Sequence, residues 1–266
     1  MNNFWQRALT GVVFTAVVIA MTLYGEYSFL VLLTAIAGFS LFEYYRIVFK
    51  GRFHYTWILF ILFGIAVVWM KFWFNDWALY AIPMVFSLTA IAVLFSPDRN
   101  WKSITHLIGG ILYIALPLFF FHIGVLKTPL GDEYAYSPYL ALNLFVLIWC
   151  SDTFAYLCGR AFGKHKLFEK VSPGKTWEGF AGGLLLSAAF SLLLAKWFDI
   201  PYGINVGIAI STVVFGTLGD LVESMLKREF GIKDSGNILP GHGGMLDRFD
   251  ALLISLPFTS VWYYFM

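Results

Sequence analysis

Long apolar runs separated by short polar connections make up most of the chain, and this pattern limits the folds that it can adopt. A helix of roughly 17–25 apolar residues crosses the hydrocarbon of a bilayer and satisfies its backbone hydrogen bonds internally. We therefore expect an all-α, polytopic integral membrane helix bundle with about nine transmembrane helices. The runs are Ala8–Tyr24, Tyr27–Phe49, Tyr55–Phe74, Ala78–Phe95, Thr105–Leu126, Tyr139–Gly159, Trp177–Lys196, Ile204–Leu221 and Phe249–Phe265.

The composition excludes several other classes of protein. Charged residues make up 13% of the 266 residues and hydrophobic residues 59%, whereas soluble chains carry about 25% charged residues. So few charges cannot solvate a folded surface, which excludes a soluble α/β enzyme, a disordered chain and a disulfide-stabilised secreted module. The net charge of +2 gives no support for a nucleic-acid partner, and none is expected.

The basic residues predict how the chain is oriented. Alternate connections between the runs hold fifteen of the eighteen Lys and Arg residues, and the opposite set holds only Lys71, Lys127 and Lys196. Cytoplasmic loops carry this excess in membrane proteins. We therefore expect an integral protein of the cytoplasmic (inner) membrane, with the N-terminus and any active site on the cytoplasmic side.

Two of the cytoplasmic connections differ from ordinary loops. Residues 160–176 are basic and contain glycine and proline, and residues 223–248 mix both charge signs with six glycines and prolines. The first half of the chain has no such segment. We therefore interpret residues 1–135 as bundle helices with oligomer contacts, and residues 136–266 as the catalytic region.

A first polar cluster begins at the end of the eighth run. Asp220, Glu223, Ser224 and Lys227 have the spacing i, i+3, i+4 and i+7, so they share one face of a helix. Carboxylate and hydroxyl oxygens on one face suit a hard cation such as Mg²⁺. The same positions also fit a helix end where the carboxylates only pair with Lys227 and Arg228.

A second cluster opens the last run. Asp247 and Asp250 are again three residues apart, and Gly243 and Gly244 precede them. Glycines let a backbone approach a ligand closely, and helix N-termini bind anions. Acidic residues in a first helical turn also stabilise the helix dipole, which is a purely structural alternative.

A third cluster lies in the basic connection, where Ser172, Lys175, Thr176 and Glu178 flank Pro173-Gly174. Ser172 fits the N-cap of a helix that begins at Pro173. The alternative is a phosphate cradle in which Lys175 acts as a point charge. A membrane-level acid, Asp152, precedes this connection, and such residues are usually functional. Carboxylates and cations at membrane level together suit a polyphosphate substrate that meets a lipid headgroup.

The run from Ser224 to Asp250 resembles the signature of CDP-diacylglycerol synthases, also called phosphatidate cytidylyltransferases. The segment from Ser172 to Gly179 and the pair Ser151-Asp152 also resemble family features. The matching positions within the run are Ser224, Leu226, Lys227, Arg228, Lys233, Asp234, Gly236, Leu239, Pro240, His242, Gly243, Gly244, Met245, Asp247, Arg248, Phe249 and Asp250.

The resemblance implies that CTP and phosphatidate react to give CDP-diacylglycerol and pyrophosphate, with Mg²⁺ as cofactor, in an all-helical homodimer. It implies metal binding by Asp220 and Asp247, with Glu223 and Asp250 as neighbours. The implied catalytic residues are Asp220, Lys227, Arg228, His242, Asp247 and Arg248. The implied substrate-binding residues are Asp152, Ser172, Lys175, Thr176, Ser224, Lys233, Asp234, Gly243 and Gly244.

Two other functions remain open on the residues alone. A CTP-dependent lipid-alcohol kinase would need similar groups but would release CDP instead of pyrophosphate. An anion or phospholipid transporter would also place charges inside a bundle, although many transporters carry an internal repeat and this sequence has none that we can detect.

Overall fold

The computed structural model describes residues 3–53, 55–70, 87, 89–95, 100–127 and 135–266. Over these ranges the chain is built from helices, with two short antiparallel hairpins. The helices are α1 Asn3–Tyr24, α2 Glu26–Val48, α3 Tyr55–Val68, α4 Trp101–Gly110, α5 Leu116–Gly124, α6 Pro138–Phe162, α7 Trp177–Phe198, α8 Tyr202–Glu229 and α9 Leu246–Tyr264. A π-helical segment, Ile111–Ala115, joins α4 to α5.

The structure confirms an all-α bundle suited to a membrane, but it does not confirm nine spans. Within the described residues, six helices are long and apolar enough to cross a bilayer. They are Trp5–Tyr24, Glu26–Val48, Trp101–Gly124, Pro138–Phe162, Trp177–Phe198 and Tyr202–Glu229. The helix Tyr55–Val68 is apolar but shorter. Most of the predicted run Ala78–Phe95, the end of Tyr55–Phe74 and the basic residues Lys71 and Arg99 lie outside the described residues.

The N-terminal helices pack around α2, whose inward face is apolar and aromatic. Phe29, Leu33 and Tyr45 of this helix are fully buried. The Tyr45 hydroxyl donates a hydrogen bond of 2.9 Å to the Leu107 carbonyl oxygen of α4. A buried hydroxyl needs such a partner because water cannot reach it. This hydrogen bond therefore joins α2 to α4 within the first half of the chain.

Small residues bring the C-terminal helices close together. A Cβ atom built on Gly179 of α7 would lie 2.7 Å from the Ala155 carbonyl oxygen of α6, and one built on Gly219 of α8 would lie 2.6 Å from the Asp250 carbonyl oxygen of α9. Any larger residue would separate these helices, as expected where membrane helices associate by close backbone packing. The polar residues of the last four helices are thereby held at fixed separations.

The basic connection forms a hairpin instead of a helix start. Strand β3, Lys166–Phe168, pairs antiparallel with strand β4, Ser172–Thr176 (β1, Leu126–Lys127, and β2, Ala135–Tyr136, form the other hairpin). The N-cap hypothesis for Ser172 is therefore wrong. Thr176 is the last residue of β4, and it caps α7 by accepting the Gly179 N–H at 3.1 Å. Pro173 and Gly174 lie within the strand rather than in a helix, which leaves Thr176 as the last extended residue before α7.

We predict that the two ends of α6 lie on opposite sides of the membrane. In a variant with Cys150 and Cys158 replaced by alanine, Lys170→Cys should react with an impermeant maleimide only from the cytoplasmic side. Ala135→Cys should react only from the other side. Both positions are exposed and flank a single apolar helix. Labelling of both from the same side of the membrane would refute the orientation.

Candidate active site

A cavity of about 470 Å³ opens between α6, the β3–β4 hairpin, α7 and α8. Its wall contains polar and charged side chains from each of these parts: Asp152 and Arg160 of α6, Lys175 and Thr176 of β4, and Asp220 of α8. Leu167, Phe180 and Val213 supply an apolar portion of the wall. The cavity therefore offers both charge signs next to apolar surface, which suits an amphiphilic anion.

Lys175 and Asp220 form the central ion pair of this cavity. The Lys175 Nζ lies 2.7 Å from Asp220 Oδ2, with the two side chains 27% and 36% exposed. The Ser224 hydroxyl donates to Asp220 Oδ1 at 3.2 Å, which confirms that these two residues share one helix face. Because both charged groups remain partly exposed, a ligand in the cavity can reach either of them.

Two further carboxyl groups interact electrostatically with this pair. Asp152 of α6 and Asp250 of α9 each interact with Asp220 and with Lys175, and Asp250 also interacts with Asp152. Three acidic residues from three helices therefore lie within electrostatic range of Lys175, although only Asp220 is paired with it, and Arg248 also acts on Asp152. Like charges brought together repel each other, so a bound cation would stabilise the group.

A second network surrounds Asp247 at the start of α9. Asp247 Oδ1 accepts a hydrogen bond from Lys227 Nζ at 2.7 Å. Asp247 Oδ2 accepts from the Gly244 and Ser235 N–H groups at 2.8 and 2.9 Å. Lys227 also pairs with Glu223, which is fully buried. This Asp247 network joins the end of α8 to α9 through the intervening loop.

The donor chemistry of these residues fits a magnesium ion, although the part of the chain that the structure describes forms no preformed cage. Among the described residues, no group of three or more His, Cys, Asp or Glu side chains has metal-binding geometry. Mg²⁺ usually takes one or two carboxylates and completes its shell with water and substrate phosphates, so it does not need such a cage. The excess of acids over cations beside Asp220 is consistent with that mode of binding.

Several predicted site residues lie away from the cavity wall. Ser172 pairs with Phe168 within the hairpin, and the cavity lining does not include it. Arg248 Nε donates to the His242 carbonyl oxygen at 2.9 Å, and Arg228 donates to the Ile232 carbonyl oxygen at 3.4 Å.

The remaining predicted residues of the loop between α8 and α9 have different surroundings. Lys233 and Asp234 are exposed. His242 packs against α1, since a Cβ on Gly11 would lie 3.4 Å from its Nε2. Gly243 has a φ of +86°, and the Gly244 N–H is already donated to Asp247. That amide is therefore engaged within the loop rather than directed at a phosphate.

The structure adds two residues that the sequence interpretation missed. Arg160 lines the cavity, but in the sequence it is only one of several basic residues that mark a cytoplasmic loop. Glu43 of α2 is 2% exposed and binds the loop between α8 and α9. A single acid inside an apolar run was the signal for Glu43, since such residues need a partner.

Comparison with known proteins identifies the family of this chain. The sequence profile of the cytidylyltransferase family matches residues 5–266. The chain belongs to the cytidylyltransferase family.

Three related proteins are named phosphatidate cytidylyltransferase. The one from Bacillus subtilis (strain 168) is 34% identical over 97% of this chain and 97% of its own length. The one from Haemophilus influenzae is 44% identical over 55% of this chain and 54% of its own length. The one from Staphylococcus saprophyticus is 38% identical over 71% of this chain and 70% of its own length. This membership identifies the chain as a nucleotidyltransferase.

We predict that Gly243→Ala inactivates the protein while Gly231→Ala does not. Both glycines have positive φ, +86° and +70°, so both substitutions carry a backbone strain of about 1–2 kcal/mol. Only at Gly243 would the new Cβ collide with Asp247 Oδ2, at 2.6 Å, whereas nothing lies within 4 Å at Gly231. Activity and thermal unfolding should be measured for both. Equal loss of activity in the two variants would show that strain alone matters.

Proposed function

We propose that this protein is a phosphatidate cytidylyltransferase, which converts CTP and phosphatidate to CDP-diacylglycerol and pyrophosphate. The observation that carries the proposal is the cavity in which Lys175, Asp220 and Asp152 meet beside apolar surface. The family membership and the names of the relatives support the same reaction. A lipid phosphate and a nucleotide both need cationic groups, and the lipid also needs an apolar route to them.

The proposed reaction does not need a strong general base. A phosphate monoester has a second pKa of about 6, so phosphatidate is an anionic nucleophile at neutral pH. The barrier is electrostatic, since one anion must approach the α-phosphorus of another. Lys175 and Arg160 at the cavity wall would attract both anions and orient them for in-line attack. Lys227, Arg228, Lys233, His242 and Arg248 are proposed to supply further contacts to phosphate from the loop side.

We further propose that Asp220 and Asp247 hold Mg²⁺, with Glu223 and Asp250 beside them. The ion would neutralise phosphate charge and polarise the phosphoryl oxygens when it is bound. Asp220 has its two oxygens on Lys175 and Ser224, both of which are exchangeable partners in a partly exposed site. Asp247 is more fully engaged, so Lys227 would have to shift for this residue to act as a direct ligand.

The remaining substrate contacts in the proposal divide between the two networks. Asp152, Thr176 and Ser224 belong to the cavity side, where Asp152 and Thr176 line the wall and Ser224 orients Asp220. Ser172, Asp234, Gly243 and Gly244 are assigned by the family resemblance. For Ser172 a movement of the hairpin would be needed, because its strand lies outside the cavity lining.

In the membrane, we propose about nine spans, with the N-terminus and the cavity on the cytoplasmic side of the cytoplasmic membrane. The distribution of basic residues supports this orientation. We propose a homodimer in which residues 1–135 supply contacts between copies and residues 136–266 supply the catalytic region. The concentration of polar networks in the second region supports this division.

The decisive experiment supplies purified protein in detergent with labelled CTP, phosphatidate and Mg²⁺. The expected products are a lipid-soluble cytidine compound and pyrophosphate in equal amounts. Release of CDP with a phosphorylated lipid would indicate a kinase instead. Lipid or anion flux across proteoliposomes without any nucleotide would indicate a transporter.

We predict that Lys175→Ala lowers kcat/KM by about a hundredfold, because it removes a fixed cation from the cavity wall. Lys170→Ala is the matched control, since this lysine is exposed in the same basic connection and does not line the cavity. Initial rates should be measured with each substrate varied. Wild-type kinetics for Lys175→Ala would leave this lysine as a residue that only sets membrane orientation.

We predict that Asp220→Asn and Asp247→Asn each reduce turnover by several orders of magnitude, since asparagine keeps the shape but removes the charge. If the two residues hold one ion, the double variant should be little worse than the worse single variant, because groups acting as a unit are not additive. Rates should be measured over a range of Mg²⁺ concentrations, with thermal unfolding in parallel. Additive losses would assign the two carboxylates to separate roles.

A further inference from the structure

Glu43 is a buried acid of the N-terminal half that binds the catalytic half. It lies near the end of α2 and contacts groups that are 192 to 203 residues away along the chain. Glu43 Oε1 accepts the Met245 N–H at 3.0 Å, and Oε2 accepts the Leu246 N–H at 2.8 Å and the Ser235 hydroxyl at 2.9 Å. Each of its oxygens is therefore bound to the loop or to the start of α9.

Two glycines make room for this carboxyl group. A Cβ built on Gly236 would lie 2.4 Å from Glu43 Oε1, and one built on Gly244 would lie 2.4 Å from Oε2. The loop therefore wraps around the end of the Glu43 side chain and leaves no space for a side chain of its own at either position. The resulting pocket matches a carboxyl group in both shape and hydrogen bonding.

The contact between Glu43 and the start of α9 stabilises both groups. The first N–H groups of a helix have no partner within it, and α9 has no side-chain cap at Met245. A buried acid, in turn, is costly unless several donors surround it. Glu43 supplies the missing acceptor at the positive end of the α9 dipole, and the N-cap residue and first residue of α9 supply two of the three donors.

The same loop residues hold Asp247. Ser235 binds Glu43 through its hydroxyl and Asp247 through its N–H, at 2.9 Å in each case. Gly244 donates its N–H to Asp247, and its Cα faces Glu43. Glu43 and Asp247 therefore hold two sides of one loop, and displacement of Glu43 would release both backbone donors of Asp247.

We propose that Glu43 is a positioning residue, which fixes the loop 231–245 and thereby orients Asp247 for the reaction. This proposal rests on the function proposed above for the role of Asp247, but the hold of Glu43 on the loop can be tested independently. Glu43 is not one of the residues that line the cavity, so its effect on substrates would have to pass through the loop.

Glu43→Gln is the most informative variant. Glutamine has the same size, but its NH₂ group cannot accept a hydrogen bond. At least one of the three donors around Glu43 would then face another donor, so the substitution removes a hydrogen bond without opening a cavity. Ser40→Ala is the matched control, because Ser40 is fully buried one turn earlier on α2 and its hydroxyl has no partner among the described residues.

The test combines hydrogen exchange without metal or substrate and steady-state kinetics. For Glu43→Gln we expect faster amide exchange confined to residues 235–246, with exchange in α6 and α7 unchanged. We expect kcat to fall about tenfold or more, while KM for CTP changes by less than about threefold, because a misplaced Asp247 affects the transition state more than nucleotide binding. Ser40→Ala should match the wild type in both measurements.

Each other outcome has a definite meaning. Wild-type exchange and kcat in Glu43→Gln would overturn the proposal, and so would faster exchange throughout the bundle, which would indicate a general loss of stability. If Glu43→Gln does not fold, Ser235→Ala removes one of the three bonds, and wild-type behaviour of that variant would overturn the proposal. If the wild type makes no lipid-linked cytidine product, the proposed function fails, whereas the exchange comparison still decides whether Glu43 holds the loop.

Discussion

The ion pairs of Lys227 join the end of α8 to the start of α9. Lys227 lies between Glu223 of its own helix and Asp247 of α9, with side-chain exposures of 13%, 0% and 7% in that order. Charges this deeply buried are stable only when partners and hydrogen bonds surround them. The N–H groups of Ser235 and Gly244 in the loop supply further stabilisation for Asp247. The loop must therefore fold against Asp247 for the ion pairs to persist.

The packing of α8 against α9 determines where the acidic group around Asp220 and the Asp247 network lie along the two helices. Gly219 lets the helices approach beside Asp250, and Asp250 interacts there with Asp220. Two turns further along α8, Lys227 reaches Asp247, which is one turn earlier on α9. Later positions on α8 therefore meet earlier positions on α9, which is the order expected of two antiparallel helices in close contact. One face of α8 therefore carries the cavity acid at one level and the loop-binding ion pair at the next.

Local periodicity could predict much of this arrangement, and long-range contacts account for the rest. The i, i+3, i+4, i+7 pattern from Asp220 predicted a polar helix face, and the Asp220–Ser224 contact confirms it. The β3–β4 hairpin was missed because Ser-Pro also fits the start of a helix, and only the pairing with residues 166–168 decides between the two. The partners of Glu43 lie about 200 residues away, and no spacing rule within one helix identifies them. The position of Glu43 inside an apolar run indicates that this acid needs a partner, but it does not identify the partner.

The exposures of the two lysine–aspartate pairs assign them different parts in the proposed reaction. Lys227 and Asp247 are nearly closed to solvent, so a change of partner there would require the loop to move. Lys175 and Asp220 are 27% and 36% exposed in a cavity, so an incoming phosphate can replace Asp220 at Lys175, and a cation can replace Lys175 at Asp220, with little further desolvation. Charges that are already paired before the substrate binds do not have to be desolvated during the reaction. Electrostatic catalysis is effective when charged groups are preorganised in this way. The buried pair can take part in the proposed reaction only after the loop moves, as the proposed role of Asp247 in holding Mg²⁺ requires.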